Sequence, residues 1–157
     1  MKLLILMMAL VPTATLAASF TTPIPSTFES QGADKQAIKA LLDTYTRAVS
    51  TKNQTLFETL LLNKEIPFSG IPLPAETAEA PGGTANYASF RKEVFEGPAF
   101  TQRFRHIHIQ QDGALAQVSL VFVNTTSQQS TWGWKTMQLL KIKGKWKIAA
   151  EFYTGHP

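Results

Sequence analysis

The apolar residues in the first third of the chain recur at helical spacing. From Ala33 onward they fall three or four positions apart, at Ile38, Leu41, Leu42, Tyr45, Ala48 and Val49. This spacing gathers them on one face and predicts an amphipathic helix of about 18 residues. The segment TLFETLLL predicts a second, shorter helix, and NYASFRKEVFEG predicts a third that stops at Gly97-Pro98.

The last third of the chain has the patterns of β-strands joined by tight turns. The segments FTQRFRHIHIQQ and ALAQVSLVFVN flank Asp112-Gly113, and TWGWKTMQLLKI and KWKIAAEFY flank Lys143-Gly144. Short Gly-containing connections between such segments are typical of β-hairpins. The intervening NKEIPFSGIPLPAETAEAPGG is predicted to be mostly loop, with a short edge strand near residues 66–71. About three N-terminal helices packed on an antiparallel sheet make an α+β domain.

Strand alternation predicts which side chains face the helices, because successive side chains point to opposite faces of a sheet. If residues 112–113 form a two-residue turn, Ile109 pairs with Ala116, and Arg103 and Arg105 share the face of Ile109. The second hairpin adds to this face Lys135, Met137, Leu139, Trp146, Ile148, Ala150 and Phe152. This is the more apolar face, so we expect it to pack on the helices. The opposite face is predicted to carry His106, His108, Trp132, Trp134, Glu151 and Tyr153.

Length and composition fit one globular domain. The chain has 157 residues, 44% of them hydrophobic and 17% charged, and no cysteine, which excludes disulfides and thiol chemistry. The net charge of +4 is dispersed apart from four lysines between residues 141 and 147, so nucleic-acid binding is not expected.

The N-terminus has the pattern of a secretory signal peptide. MKLLILMMALVPTATLAAS contains one lysine, then an apolar run, then small residues, and cleavage is expected after Ala17. The apolar run is shorter than the roughly 20 residues that span a bilayer, so no membrane anchor is expected. The expected organisation is a signal peptide at residues 1–17, a flexible leader at 18–32 and a single domain at 33–157, in a periplasmic or secreted protein.

The helix pair and the closing hairpin together resemble the nuclear transport factor 2-like superfamily. The matching residues are IKALLDTYTRAVSTKNQTLFETLLL and MQLLKIKGKWKIAAEFY, in which a Gly-x-Trp-x-Ile pattern is similar to that of the superfamily. The resemblance covers nearly all of residues 33–155 and implies a cystatin-like fold, with a curved sheet and helices enclosing a conical pocket. It also implies dimers formed through the outer face of the sheet. The superfamily includes SnoaL-like cyclases and ketosteroid isomerase, but the resemblance assigns no reaction and points to a branch of unknown function.

The catalytic residues of the isomerase branch are matched only in part. Tyr45 falls at the position of a helix tyrosine of that branch, but no acid stands near residues 69–70, where its base would lie. The late-strand acid of that branch would lie at Met137 or Gln138, and neither side chain is an acid. Isomerase chemistry of that type is therefore not expected. An enzyme that uses Tyr45 as acid, with Glu65 or a water as base, is an alternative.

Cations on the predicted inner face suggest a ligand site. A buried unpaired cation is costly and needs an acid, a ligand or water beside it. We therefore expect a pocket for an anionic or amphiphilic small molecule, without cofactor or metal, lined by Tyr45, Arg103, Arg105, Phe122, Lys135, Met137 and Phe152. The alternatives are that the two arginines pair with helix acids such as Asp43 or Glu58 or reach the rim, and that Tyr45 is a core aromatic residue.

The predicted outer face suggests contact with another protein. Trp132, Trp134 and Tyr153 would form an exposed apolar patch there, which favours a homodimer or, as an alternative function, a protein-interaction module. His106 and His108 are spaced to share a strand face, but no third metal ligand is evident in the sequence.

Overall fold

The computed structural model describes residues 25–73 and 86–157. The predicted signal peptide and the first part of the predicted leader lie outside the described residues. In chain order the elements are α1 (Gly32–Ser50), α2 (Gln54–Glu58), β1 (Phe68–Pro72), α3 (Tyr87–Arg91), a π-helix that continues α3 (Lys92–Glu96), β2 (Thr101–Asp112), β3 (Leu115–Thr125), β4 (Ser130–Ile142) and β5 (Lys145–Gly155). The elements lie where the patterns predicted them, but α1 is long whereas α2 and α3 have five residues each.

The strands form a single five-stranded sheet in the order β1-β5-β4-β3-β2. Strand β1 runs parallel to β5, and the other neighbours are antiparallel. The core joins the apolar stripe of α1 to the inner face of the sheet, with Ile38, Leu42, Tyr45 and Val49 from the helix and Val118, Leu120, Met137, Leu139 and Ile148 from the strands. Among the described residues, no helix has both the length and the apolar character needed to cross a membrane.

The last described part of the predicted leader pairs with the sheet. Glu29 forms an antiparallel bridge with Gln110, and the Ser30 amide donates to the Ile109 carbonyl at 3.0 Å. Residues 28–30 therefore cover the edge of β2, which an open sheet would otherwise leave unpaired.

The register of the first hairpin differs from the predicted one by two residues. Its turn is Gly113-Ala114, so Asp112 pairs with Leu115 and Ile109 pairs with Val118. A shift of two residues preserves the faces, and Ile109 is buried as predicted. The second hairpin has the predicted turn at residues 143–144, where Ile142 pairs with Lys145.

A β-bulge in β2 reverses its alternation. Arg105 pairs with Val121 but His108 pairs with Ser119, so β2 has one extra residue, and His106 takes a left-handed φ of 50°. One extra residue breaks the alternation, so the side chains before the bulge and those after it exchange faces relative to each other. Ile109, after the bulge, points inward, and the side chains before the bulge therefore lie on the opposite face from the one predicted. The predicted inward placement of Arg103 and Arg105 is therefore wrong: both are exposed on the outer face.

A second bulge has the same effect in β5. Gln138 pairs with Ala150 but Leu139 pairs with Ile148, which leaves Ala149 as the extra residue. Trp146 and Ile148 are buried as predicted, but beyond the bulge the faces are exchanged. The inward placement of Phe152 is wrong, since it is 46% exposed, and Glu151, predicted to lie outside, is fully buried.

Candidate functional site

Three polar side chains meet in the interior between α1 and the sheet. Lys135 of β4 lies with its Nζ 2.6 Å from Oε1 of Glu151 on β5. The same Nζ donates to Oη of Tyr45 on α1 at 2.7 Å, and the Tyr45 hydroxyl donates to Glu151 Oε1 at 2.9 Å. Tyr45 and Glu151 are 0% exposed and Lys135 is 2% exposed. We call these three residues the interior triad.

Aromatic rings surround the ammonium group of Lys135. Its Nζ lies 4.6–6.0 Å from the ring centroids of Tyr45, Phe122, Tyr153, Phe104 and Phe90. Rings at such distances attract a cation through their quadrupoles. The lysine is therefore held by one carboxylate, one hydroxyl and a largely apolar wall.

Burial shifts the ionisation of the interior triad. It lowers the pKa of Lys135, because desolvation disfavours the ammonium more than Glu151 stabilises it. It raises the pKa of Tyr45 well above the ordinary value, and the negative charge of Glu151 acts in the same direction. Perturbed groups of this kind are concentrated at functional sites, although structural ion pairs show them too.

Two glycines allow the Tyr153 and Phe122 rings to pack close to the backbone of neighbouring strands. A Cβ at Gly70 would lie 2.4 Å from the Tyr153 ring, and a Cβ at Gly133 would lie 2.6 Å from the Phe122 ring. The rings of Tyr153 and Phe122 pack edge to face at 5.9 Å. A side chain at Gly70 would displace the Tyr153 ring, whereas a side chain at Gly133 would first meet the backbone carbonyl oxygen of Thr154 at 1.8 Å and then the Phe122 ring.

The structure brings four of the seven predicted ligand-binding residues to the interior. Tyr45, Phe122, Lys135 and Met137 are buried there, and Met137 pairs with Glu151 across β4 and β5. The other three, Arg103, Arg105 and Phe152, lie on the outer face.

The acid that compensates Lys135 is Glu151, and the helix acids suggested as partners of the two arginines are occupied elsewhere or exposed. Asp43 is exposed, and Glu58 accepts hydrogen bonds from Gln54 and Tyr87. Glu65, which the alternative enzyme could use as base in place of a water, is exposed as well. Sequence reasoning missed Glu151 because uninterrupted alternation placed it outside. The one available signal was that an inward lysine at position 135 requires an acid near it.

The outer face combines aromatic, aliphatic and cationic side chains. Trp134 is 54% exposed and Trp132 is 45% exposed, as predicted, whereas Tyr153 is half-buried with its ring packed against Phe122 on the inner face. A groove of about 220 Å³ on this face is lined by Ser69, Ile71, Trp134, Thr136, Phe152, Tyr153 and Thr154. The register aligns Trp134 with Val121 and Arg105, and the neighbouring row aligns Trp132 with Val123 and Arg103.

The two strand histidines do not assemble a metal site. His108 Nε2 lies 3.0 Å from Glu29 Oε1, while His106 sits in the β2 bulge. Within residues 25–73 and 86–157, no three His, Asp or Glu side chains are grouped closely enough to hold a metal ion.

The chain has the nuclear transport factor 2-like fold. A nuclear transport factor 2-like protein of unknown function from Shewanella baltica superposes with a TM-score of 0.61 at 16% identity, covering 79% of this chain and 94% of that one. Another nuclear transport factor 2-like protein of unknown function, from Methylobacillus flagellatus, superposes with a TM-score of 0.60 at 17% identity, covering 83% of this chain and 98% of that one. A protein of unknown function with a cystatin-like fold, from Nostoc punctiforme, superposes with a TM-score of 0.62 at 12% identity, covering 82% of this chain and 96% of that one. No protein-family model and no curated protein matches the sequence. These similarities establish the fold and assign no reaction.

Proposed function

We propose that this chain, a nuclear transport factor 2-like domain with the N-terminal pattern of an exported protein, binds a small amphiphilic molecule in its interior. The polar part of the ligand contacts the interior triad, and its apolar part lies among the rings around Lys135. The observation that carries the proposal is the fully buried ion pair of Lys135 and Glu151. A buried ion pair contributes little or nothing to stability compared with well-packed apolar residues, so a role in binding accounts for it better.

The geometry changes the ligand that the sequence suggested. An anionic ligand was expected because three cations were predicted to face inward, but Arg103 and Arg105 face outward. The remaining cation, Lys135, is already paired with Glu151. The polar triad and the rings around it still favour an amphiphilic ligand. They no longer favour a negatively charged one, because no unpaired cation of the predicted three faces inward.

The ligand needs an opening, because the side chain of Lys135 is only 3% exposed. Of the five rings around its ammonium group, Phe90 alone belongs to the short helix α3. Helix α3 continues as the π-helix, a conformation that is often found at functional sites. We infer that displacement of Phe90 admits the ligand.

Methyl NMR can test interior binding directly. Met137 is the only methionine beyond residue 8, so methionine labelling of the processed chain gives one interior reporter, and Ile71 supplies an outer-face reporter. Titration with naphthylmethanol should shift the Met137 methyl resonance in a saturable way and leave Ile71 unchanged. Arg105→Ala should give the same titration curve, because Arg105 is on the outer face. A shift confined to Ile71 would place the ligand in the outer groove and refute the proposal.

A second candidate function, self-association through the outer face, has its own support. Trp134, Phe152 and Ile71 are 54%, 46% and 40% exposed and line one groove. Tryptophan and arginine are enriched at the centres of protein interfaces, and both recur in the rows that cross β2, β3 and β4. We propose a symmetric homodimer in which this face meets its copy.

Sedimentation can distinguish the dimer from a monomer. Trp134→Ala should weaken self-association at least about tenfold, the effect of a hot-spot residue. Leu62→Ala is the matched control, since Leu62 is 38% exposed, follows α2 and does not line the outer groove. A wild-type chain that stays monomeric at high concentration, or equal effects of both substitutions, would count against this candidate.

A further inference from the structure

One oxygen of Glu151 has no hydrogen-bond partner within the part of the chain that the structure describes. Oε1 accepts from both Lys135 and Tyr45, but Oε2 is buried and meets no donor among the described residues. A buried charged oxygen without a donor is costly, and the large majority of such atoms in proteins are satisfied. Oε2 is therefore a buried acceptor that still requires a hydrogen-bond donor.

The charges of the interior triad restrict the donor. The ammonium of Lys135 and the carboxylate of Glu151 cancel, and their atoms lie 2.6 Å apart. An anionic group near Oε2 would be repelled by the carboxylate and offers no hydrogen. A cationic group would donate, but it would share a site of low dielectric constant with the Lys135 ammonium. A neutral donor avoids both repulsions.

The surroundings define the rest of the ligand. The rings of Phe90, Phe104, Phe122 and Tyr153 lie within 6.0 Å of Lys135 Nζ, so an apolar body beside the triad would contact aromatic surface. Aromatic rings pack favourably against other flat rings.

From these observations, we propose that the interior site selects an uncharged aromatic alcohol or amide whose O–H or N–H donates to Oε2 of Glu151. This inference rests on the proposed interior binding and adds the chemical class of the ligand. Glu151 is then a specificity-determining residue, and Lys135 and Tyr45 position its carboxylate by holding Oε1.

Four probes that share one ring system can test the inference. They are naphthylmethanol (neutral donor), ethylnaphthalene (no donor), naphthoate (anion) and naphthylmethylammonium (cationic donor). Their dissociation constants are measured from the Met137 methyl resonance of the full processed chain. Naphthylmethanol should bind at least about tenfold more tightly than each of the others, because a hydrogen bond to a charged group is lost or opposed in every other case.

A variant without the interior triad supplies the control. Lys135→Leu, Glu151→Leu and Tyr45→Phe are combined, because removal of a single partner would leave an uncompensated buried charge and endanger folding. Circular dichroism is used to check that the variant is folded. It should bind ethylnaphthalene at least as tightly as the wild type, and the preference for naphthylmethanol should disappear.

Each other outcome has a definite meaning. Equal binding of naphthylmethanol and ethylnaphthalene would refute the donor inference and leave interior binding intact. Tightest binding of naphthoate or of naphthylmethylammonium would also refute it. Failure of all four probes to move the Met137 resonance would refute the proposed function itself. A crystal structure of the naphthylmethanol complex should show the hydroxyl oxygen at hydrogen-bond distance from Oε2, and a hydroxyl directed elsewhere would overturn the assignment.

Discussion

Lys135 and Glu151 form a buried ion pair because the bulge at Ala149 turns the carboxylate toward the interior. Their side-chain atoms approach to 2.6 Å, and both residues are almost fully enclosed. Without the bulge, the face that carries Trp146 and Ile148 would continue through Phe152, and Glu151 would point outward. The interior triad thus depends on a single extra residue in β5.

The ion pair should make removal of one partner more destabilising than removal of the whole interior triad. Lys135→Leu should lower the free energy of unfolding by about 3–5 kcal/mol, because it leaves the Glu151 carboxylate buried without a counter-charge. The triple variant with Glu151→Leu and Tyr45→Phe should recover most of this loss, since it leaves no charge or hydroxyl unpaired. Urea unfolding monitored by circular dichroism measures both. A triple variant as unstable as the single one would show that the pair itself stabilises the fold.

Gly70 is required by the Tyr153 ring. The new Cβ of Gly70→Ala would meet that ring at 2.4–2.5 Å, so we expect a loss of about 1–3 kcal/mol in the free energy of unfolding. Gly155→Ala is the matched control in β5, because apart from its chain neighbours no atom of the described residues lies within 4 Å of its added Cβ. It should change stability by less than about 0.5 kcal/mol. Equal effects in thermal or urea unfolding would contradict the packing argument.

Asp34 makes stability depend on acid pH. Hydrogen bonds from Lys141 at 2.6 Å, Gln111 at 2.9 Å and Trp146 at 3.2 Å reach its carboxylate. The hydrogen bond from Lys141 is the largest cause, and together these contacts lower the pKa of Asp34 below 3.8. Since the folded state holds the proton less tightly, this contribution is present above the unfolded pKa and is lost as the pH falls through the folded pKa.

Asp34→Asn tests this linkage. Denaturant unfolding between about pH 6 and pH 2 should show a smaller decline in stability for Asp34→Asn than for the wild type. Asp43→Asn, an exposed position on the same helix, should retain the wild-type decline. Parallel curves for wild type and Asp34→Asn would refute the role of Asp34.

Phe90 covers the interior, so its truncation should expose the site at a cost in stability. The ring is 4% exposed and packs at 4.8 Å from Phe68 and 5.3 Å from Phe57, measured between centroids. Phe90→Ala should lose about 3–5 kcal/mol through the cavity it leaves. Ethylnaphthalene should raise the unfolding temperature of Phe90→Ala more than that of the wild type, because a ligand that binds the folded state stabilises it. Phe28→Ala, at a 41% exposed ring, should show neither effect.

The helices and the second hairpin turn could be predicted from local sequence, whereas the first turn lies one residue later than predicted. The apolar spacing from Ile38 to Val49 identified α1 and its buried face, because a helix period depends on neighbours three and four residues away. Gly144 marked the second hairpin turn through a left-handed φ of 77° that glycine adopts at little cost. The resemblance carried by the helix pair and the closing hairpin identified the fold, which the structural similarities confirm.

Local sequence patterns were enough to predict the elements, their order and the inward lysine at position 135. Which residues surround that lysine depends on the tertiary structure, because β2 and β5 each contain one extra, unpaired residue, near His106 and at Ala149. A bulge has no reliable local signature: it forms where a strand must meet the registers of its neighbours and the shape of the core together. Since strand faces repeat every two residues, these two insertions moved both arginines and Phe152 outward and brought Glu151 to Lys135.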